Sequence, residues 1–156
     1  MSITNPDSEP TRGPGALRAP ETVQAERGRE TAKVAPRPEL AGYRLVYPGQ
    51  SDVYLVDPAG FRRRIPNRAT YCRLFRDERG IVSTRELVEI AQRPGLATGT
   101  LLLTSDSADS IYLLDEGRKR LVTSRQVMDK YWFNLDRVSL VRKILVDVLP
   151  VGEIWE

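Results

Sequence analysis

The stretch VYLVDPAGFRRRI, Val53 to Ile65, returns 58 residues after its first position as IYLLDEGRKRL, Ile111 to Leu121. Each copy has a short run of β-formers, an aspartate, a turn containing glycine, and a second run that begins with basic residues. That order is the signature of a β-hairpin. Asp57 and Asp115 are suited to bond turn amides, and Gly60 and Gly117 can supply a positive φ.

The repetition extends outward from the hairpins. Tyr54, Leu55 and Asp57 match Tyr112, Leu113 and Asp115 at an offset of 58, and Arg62 to Ile65 match Arg118 to Leu121 at 56, which implies a turn shortened by two residues. Beyond it, Tyr71, Cys72 and Phe75 align with Val127, Met128 and Tyr131, and the segment ending at Gly99 aligns with the one ending at Gly152. Asn67 and Ser124 stand where N-caps are expected for helices over RATYCRLF and RQVMDKYWF. Ser83 with Glu86 makes a capping box for a further short helix over 84–92, echoed by 139–146. Tyr43–Tyr47, Leu101–Thr104 and Glu153–Trp155 read as strands closing each unit.

The fold expected is therefore α+β: two pseudo-equivalent units of a β-hairpin plus two short helices, 43–99 and 100–156, forming one small domain over 41–156. Units this small bury too little apolar surface to stand alone, so Tyr54, Leu55, Ile65, Tyr112, Leu113 and Leu121 are expected in a shared or contiguous core. The first 40 residues contrast with this domain. They contain no aromatic residue and six of the eleven prolines, and they read as a disordered tail that cannot offset the entropy of ordering itself.

The 24 basic and 21 acidic side chains leave a net charge of +3, all of it on the domain, which is too little to mark a nucleic-acid binder. A single cysteine excludes an intrachain disulfide, and the absence of histidine removes the usual zinc sites, so no metal or other cofactor is expected. Cys72 reads as a small buried hydrophobe. DSADS, Asp106 to Ser110, reads as a polar turn, with a calcium site as the alternative. There is no secretory signal at the amino terminus and no run of 18 apolar residues, so the chain as written is expected to be cytoplasmic without a membrane span, export by a signal-independent route aside.

These hairpins resemble short tandem repeats of the form Y-x-[IVL]-x-x-G-x-[KR]-R-x-[IV], followed by a short helix and a terminal x-P-x-G, in surface or secreted proteins of actinobacteria and related bacteria. Leu149 to Gly152, LPVG, fits that ending. The resemblance covers about 43–156 and implies an accessory binding or spacer module, with no catalytic residue carried over.

The candidate site residues are Arg62, Arg64, Arg118 and Arg120, which strand alternation places on the outer face of the two hairpins, with Arg63 and Lys119 turned inward beside Ile65 and Leu121. Trp132 joins them as the aromatic expected at the surface of YWF, because Tyr131 and the matching Phe75 read as core. The competing reading makes the outer arginines a solvated hairpin edge, and has the inner base reach a carboxylate such as Asp57 or Asp115. Three function classes follow. The first is a non-catalytic binding or adaptor module that engages a protein or glycan and recruits through its tail. The second is nucleic-acid or anionic-polymer binding through the paired basic hairpins. The third and least supported is an enzyme, since no catalytic motif is present. The oligomeric state is open.

Overall fold

In the computed structural model, which describes residues 33–156, each hairpin of the doubled phrase sits inside a four-stranded sheet. Strands β1 (Arg44–Val46), β2 (Val53–Val56), β3 (Arg62–Arg64) and β4 (Val82–Ser83) form one sheet in the order β3-β2-β1-β4. Strands β5 (Leu101–Ser105), β6 (Ile111–Asp115), β7 (Arg118–Val122) and β8 (Ser139–Val141) form the other as β7-β6-β5-β8. In both, the hairpin and the strand before it are antiparallel, and the last strand returns parallel beside the first. The protein is a small α+β domain built from two sheets of identical order.

The pairings set the relation between the copies. Leu55 faces Arg63 across the first hairpin and Leu113 faces Arg120 across the second, so Arg63 corresponds to Arg120 and the turn has lost one residue, not two. The reason lies in the turns. Asp57 Oδ1 accepts from the amides of Ala59 and Phe61 at 3.0 and 2.9 Å to organise the longer turn. The second needs only Glu116 and Gly117, whose φ values of 54° and 75° suit a two-residue hairpin turn. The inward partners of β7 are consequently Arg120 and Val122, and Leu121 is half-buried.

Helix α1 (Arg68–Leu74) is capped by Asn67, which accepts from Thr70 N, and α2 (Arg125–Lys130) by Ser124, which accepts from Val127 N. Each turns three consecutive-turn residues inward: Thr70, Tyr71 and Leu74, then Val127, Met128 and Tyr131. Cys72 is exposed, contrary to its reading as core, because it follows Tyr71 by about 100° of helical rotation and so leaves the buried stripe. The segment expected as a helix over 84–92 is a 3-10 turn, Arg85–Glu89, capped by Thr84 because Ser83 belongs to β4. Its echo divides into β8 and a helix α3 (Lys143–Asp147). Residues 153–155 form no strand; Trp155 makes a single bridge to Val122.

One core crosses both units. Leu55, Ile65, Leu113, Val122, Met128, Tyr131 and Trp155 are buried together, and Phe75 bridges Phe133 with rings 5.6 Å apart. Tyr54 and Tyr112, expected there, are only half-buried. A second cluster, Leu45, Val56, Leu87 and Ile90, lies on the other side of the first sheet and is covered by Leu40.

That cover moves the domain boundary from 41 to Ala35, since Ala35–Glu156 packs as one unit. Ala35 bridges Ile90, and Arg37 N donates to Gly60 O at 2.8 Å, so residues 35–40 belong to the fold despite their prolines. Pro38 opens a 3-10 turn, Pro38–Leu40, where a missing amide costs nothing. The tail over 1–32 lies outside the described residues. Among the described residues no helix is long and apolar enough to cross a membrane.

Candidate functional site

The four hairpin arginines occupy four different environments. Arg62 is half-buried, donating through Nε to Ile90 O at 2.9 Å with its guanidinium over the Tyr54 ring. Arg64 is exposed and paired with Asp52 at 3.1 Å. Arg118 is exposed and donates to Val151 O at 3.3 Å. Arg120 is buried, which corrects its assignment to the outer face; the one-residue turn deletion gives it the inward phase that Arg63 has in the first copy. Lys119, expected inward, is half-buried and donates to Val146 O at 2.8 Å.

The inward pair builds a charged centre that joins the two units. Arg63 Nε lies 2.9 Å from Asp57 Oδ2, and its Nη1 lies 3.7 Å from Asp115 Oδ2. Arg120 approaches the same Asp115 oxygen at 3.6 Å. Arg93 closes the network on Asp57 at 3.4 Å and Glu153 at 3.2 Å. Three guanidinium groups thus face three carboxylates, and the remaining Asp115 oxygen accepts from Ala97 N and Thr100 Oγ1. A compensated centre of this kind holds its members in place and leaves no net charge to attract a ligand.

Trp132 is likewise engaged. Its φ of 61° is rare for a bulky residue. Its indole N–H donates to Asp77 Oδ1 at 2.9 Å, and Arg76 sits over its ring at 4.7 Å. The Arg79 side chain, then the indole and the Arg79 amide, hold the Asp77 carboxyl well below the usual carboxylate range.

In DSADS, Asp106 Oδ1 accepts from Lys143 N at 3.1 Å, placing it at the start of α3. Among the described residues, no group of three or more His, Cys, Asp or Glu side chains is placed to hold a metal ion.

The surface that stands out lies elsewhere, on β8, α3 and the segment after it. Leu140, Ile144, Leu145, Val148 and Val151 are each 56–71% exposed. Val46 pairs with Ser83, and its counterpart Thr104 pairs with Leu140. Arg62 bridges Gln92, and its counterpart Lys119 bridges Val151. Counting back from that bridge, Arg85, Glu86 and Glu89 correspond to Ile144, Leu145 and Val148, with Leu87 and Val146 both buried between them. Five positions that are polar in the first unit are therefore aliphatic in the second.

Among the described residues the first unit is also covered here and the second is not. Ala35 N donates to Glu89 O and Ala35 O accepts from Ala91 N, while a Cβ on Gly60 would stand 2.3 Å from Pro38 N. At the matching Gly117 a Cβ would meet nothing within 4 Å. The sequence reading places a short helix over 139–146 as the echo of 84–92 and singles out no exposed face there. The signal was available in the comparison of the two copies, position by position, once the offset was right. No family model matches the chain, and no curated protein or solved structure does either.

Proposed function

We propose that this chain is a non-catalytic binding or adaptor module that engages a protein through the aliphatic face of its second unit. One observation carries the reading: two units of the same fold differ at Ser83/Leu140, Arg85/Ile144, Glu86/Leu145, Glu89/Val148 and Gln92/Val151, each from polar to aliphatic, while the exposed Val88/Asp147 alone in this stretch changes the other way. The fold tolerates polar side chains at these places, so the aliphatic set serves something beyond the fold. Contiguous exposed apolar side chains rimmed by charge mark contact surfaces. A glycan would call for aromatic stacking and a dense set of hydrogen-bonding groups, and this face offers neither. An anionic polymer would need free arginines, and the hairpin arginines are spent on Asp52, Asp57, Asp115 and backbone carbonyls.

The test compares two variants of the full chain as bait in an extract of the native cell. A face variant carries the first unit's own residues, Ile144→Arg, Leu145→Glu, Val148→Glu and Val151→Gln. An arginine variant carries Arg64→Ser and Arg118→Ser. The reading expects partner loss from the face variant alone. Loss from the arginine variant alone, with capture falling steeply as salt rises, would replace it with the anionic-polymer reading.

A further inference from the structure

We infer that the protein held on this face is a second copy of the same chain, packed α3 against α3 about a two-fold axis; the inference rests on the reading of the face as a protein contact surface.

An added peptide strand is the first alternative, because Ala35 covers the first unit in that way. Ala35 there uses Glu89 O as acceptor and Ala91 N as donor. The counterparts are Val148 O and Pro150, since Arg62 N donates to Ala91 O and Lys119 N to Pro150 O. Pro150 has no N–H, so an incoming strand would find half of the ladder missing. The proline protects this edge against strand addition, and what covers the face must be held by side chains.

The charges on α3 identify such a surface. Arg142 and Lys143 stand at its amino end and Asp147 at its carboxyl end. This order opposes the helix dipole, which favours the reverse. Lys143 is paired with Asp147 at 2.7 Å, while Arg142 pairs with no carboxylate among the described residues. A two-fold axis across the middle of α3 sets the amino end of each helix against the carboxyl end of the other. Arg142 of each copy then faces the end of its mate that carries Asp147, and Ile144 of each meets Leu145 of the other. A patch that contacts itself about a two-fold axis must be self-complementary in this way.

Sedimentation equilibrium of the full chain, from low to high micromolar, tests this directly. The expected result is twice the chain mass for the native protein and the chain mass for the face variant, with both unfolding cooperatively and only the native melting temperature rising with concentration. Arg142→Asp and Asp147→Arg should each weaken association at least about tenfold, since each places like charges together twice. The double reversal should restore it, a rescue that a merely structural effect would not produce. A native chain that stays monomeric, a face variant that still dimerises, or a double reversal without rescue overturns the inference. So does a monomer that sediments with vesicles of anionic phospholipid, which would make the occupant a lipid surface. A monomeric native chain whose face variant still loses a captured partner would overturn self-association alone and leave the protein-binding reading standing.

Discussion

Arg63 of the first unit stands 3.7 Å from Asp115 of the second while its Nε bonds Asp57 of its own hairpin at 2.9 Å. The doubled phrase is thus first of all the device by which two copies of one unit are joined. Burying these charges is itself expensive, so the centre fixes which elements meet more than it adds net stability.

Breaking that centre from one side should be costly. Asp57→Ala leaves Arg63 buried without its closest carboxylate and frees two turn amides, and should lose about 3–5 kcal/mol in urea unfolding. Arg120→Ser should lose roughly 1–3 kcal/mol and Arg118→Ser less than about 1 kcal/mol, because only Arg120 is buried. Equal losses for Arg118 and Arg120 would contradict the register described for β7.

The two units should not fold apart. Phe75 and Phe133 bridge each other, Arg76 Nε donates to Phe133 O at 2.8 Å, and Trp155 is buried in the same cluster as Leu55. Residues 35–98 and 99–156 expressed separately should give flat, non-cooperative melts, and the full chain a single transition. A cooperative transition in either half would show that the shared core is dispensable.

Residues 35–40 should matter to stability although they are rich in proline. A chain beginning at Gly42 removes Leu40 from the cluster of Leu45, Val56, Leu87 and Ile90 and opens the edge that Ala35 closes. Relative to a chain beginning at Val34 it should lose roughly 2–4 kcal/mol. Identical urea midpoints for the two chains would place the domain boundary back near 41.

The Asp77–Trp132 contact gives a pH dependence with a defined sign. The folded carboxyl is held below its usual range by Arg79 and by the indole of Trp132. Its contribution is fully present above the unfolded pKa and is lost as pH falls through the lower, folded value. The emission of Trp132 should therefore stay constant at mildly acid pH and change only below the ordinary carboxylate range. In Asp77→Asn that low-pH step should vanish. A step near the usual carboxylate pKa in the native chain would mean the contact does not hold in solution.

Much of this architecture was legible in the sequence, and the misplacement of Arg120 has a single cause. The hairpins, both N-caps and the pairing of an inner arginine with Asp57 follow from local chemistry: turn residues, a cap oxygen, strand alternation. The offset between copies does not, because RRRI can be laid on RKRL or on KRLV with equal chemical sense. Only cross-strand pairing decides, and it moves Arg120 from the surface to the centre. Downstream, a helix expected over 84–92 is echoed as one helix where β8 and α3 stand, and an offset that falls toward Gly152 hides the correspondence of Arg85 with Ile144. Exposure of the aliphatic face depends on what packs over it, which hydropathy alone does not report.

The face of Leu140, Ile144, Leu145, Val148 and Val151 is the proposed seat of a second copy of the chain. Backbone hydrogen exchange of the full chain at low and high protein concentration reads this surface directly. Slowing at high concentration should be confined to residues 139–152, with the corresponding segment 82–92 unchanged. Slowing at the hairpins over 62–64 and 118–120 instead, or exchange independent of concentration throughout, would contradict it.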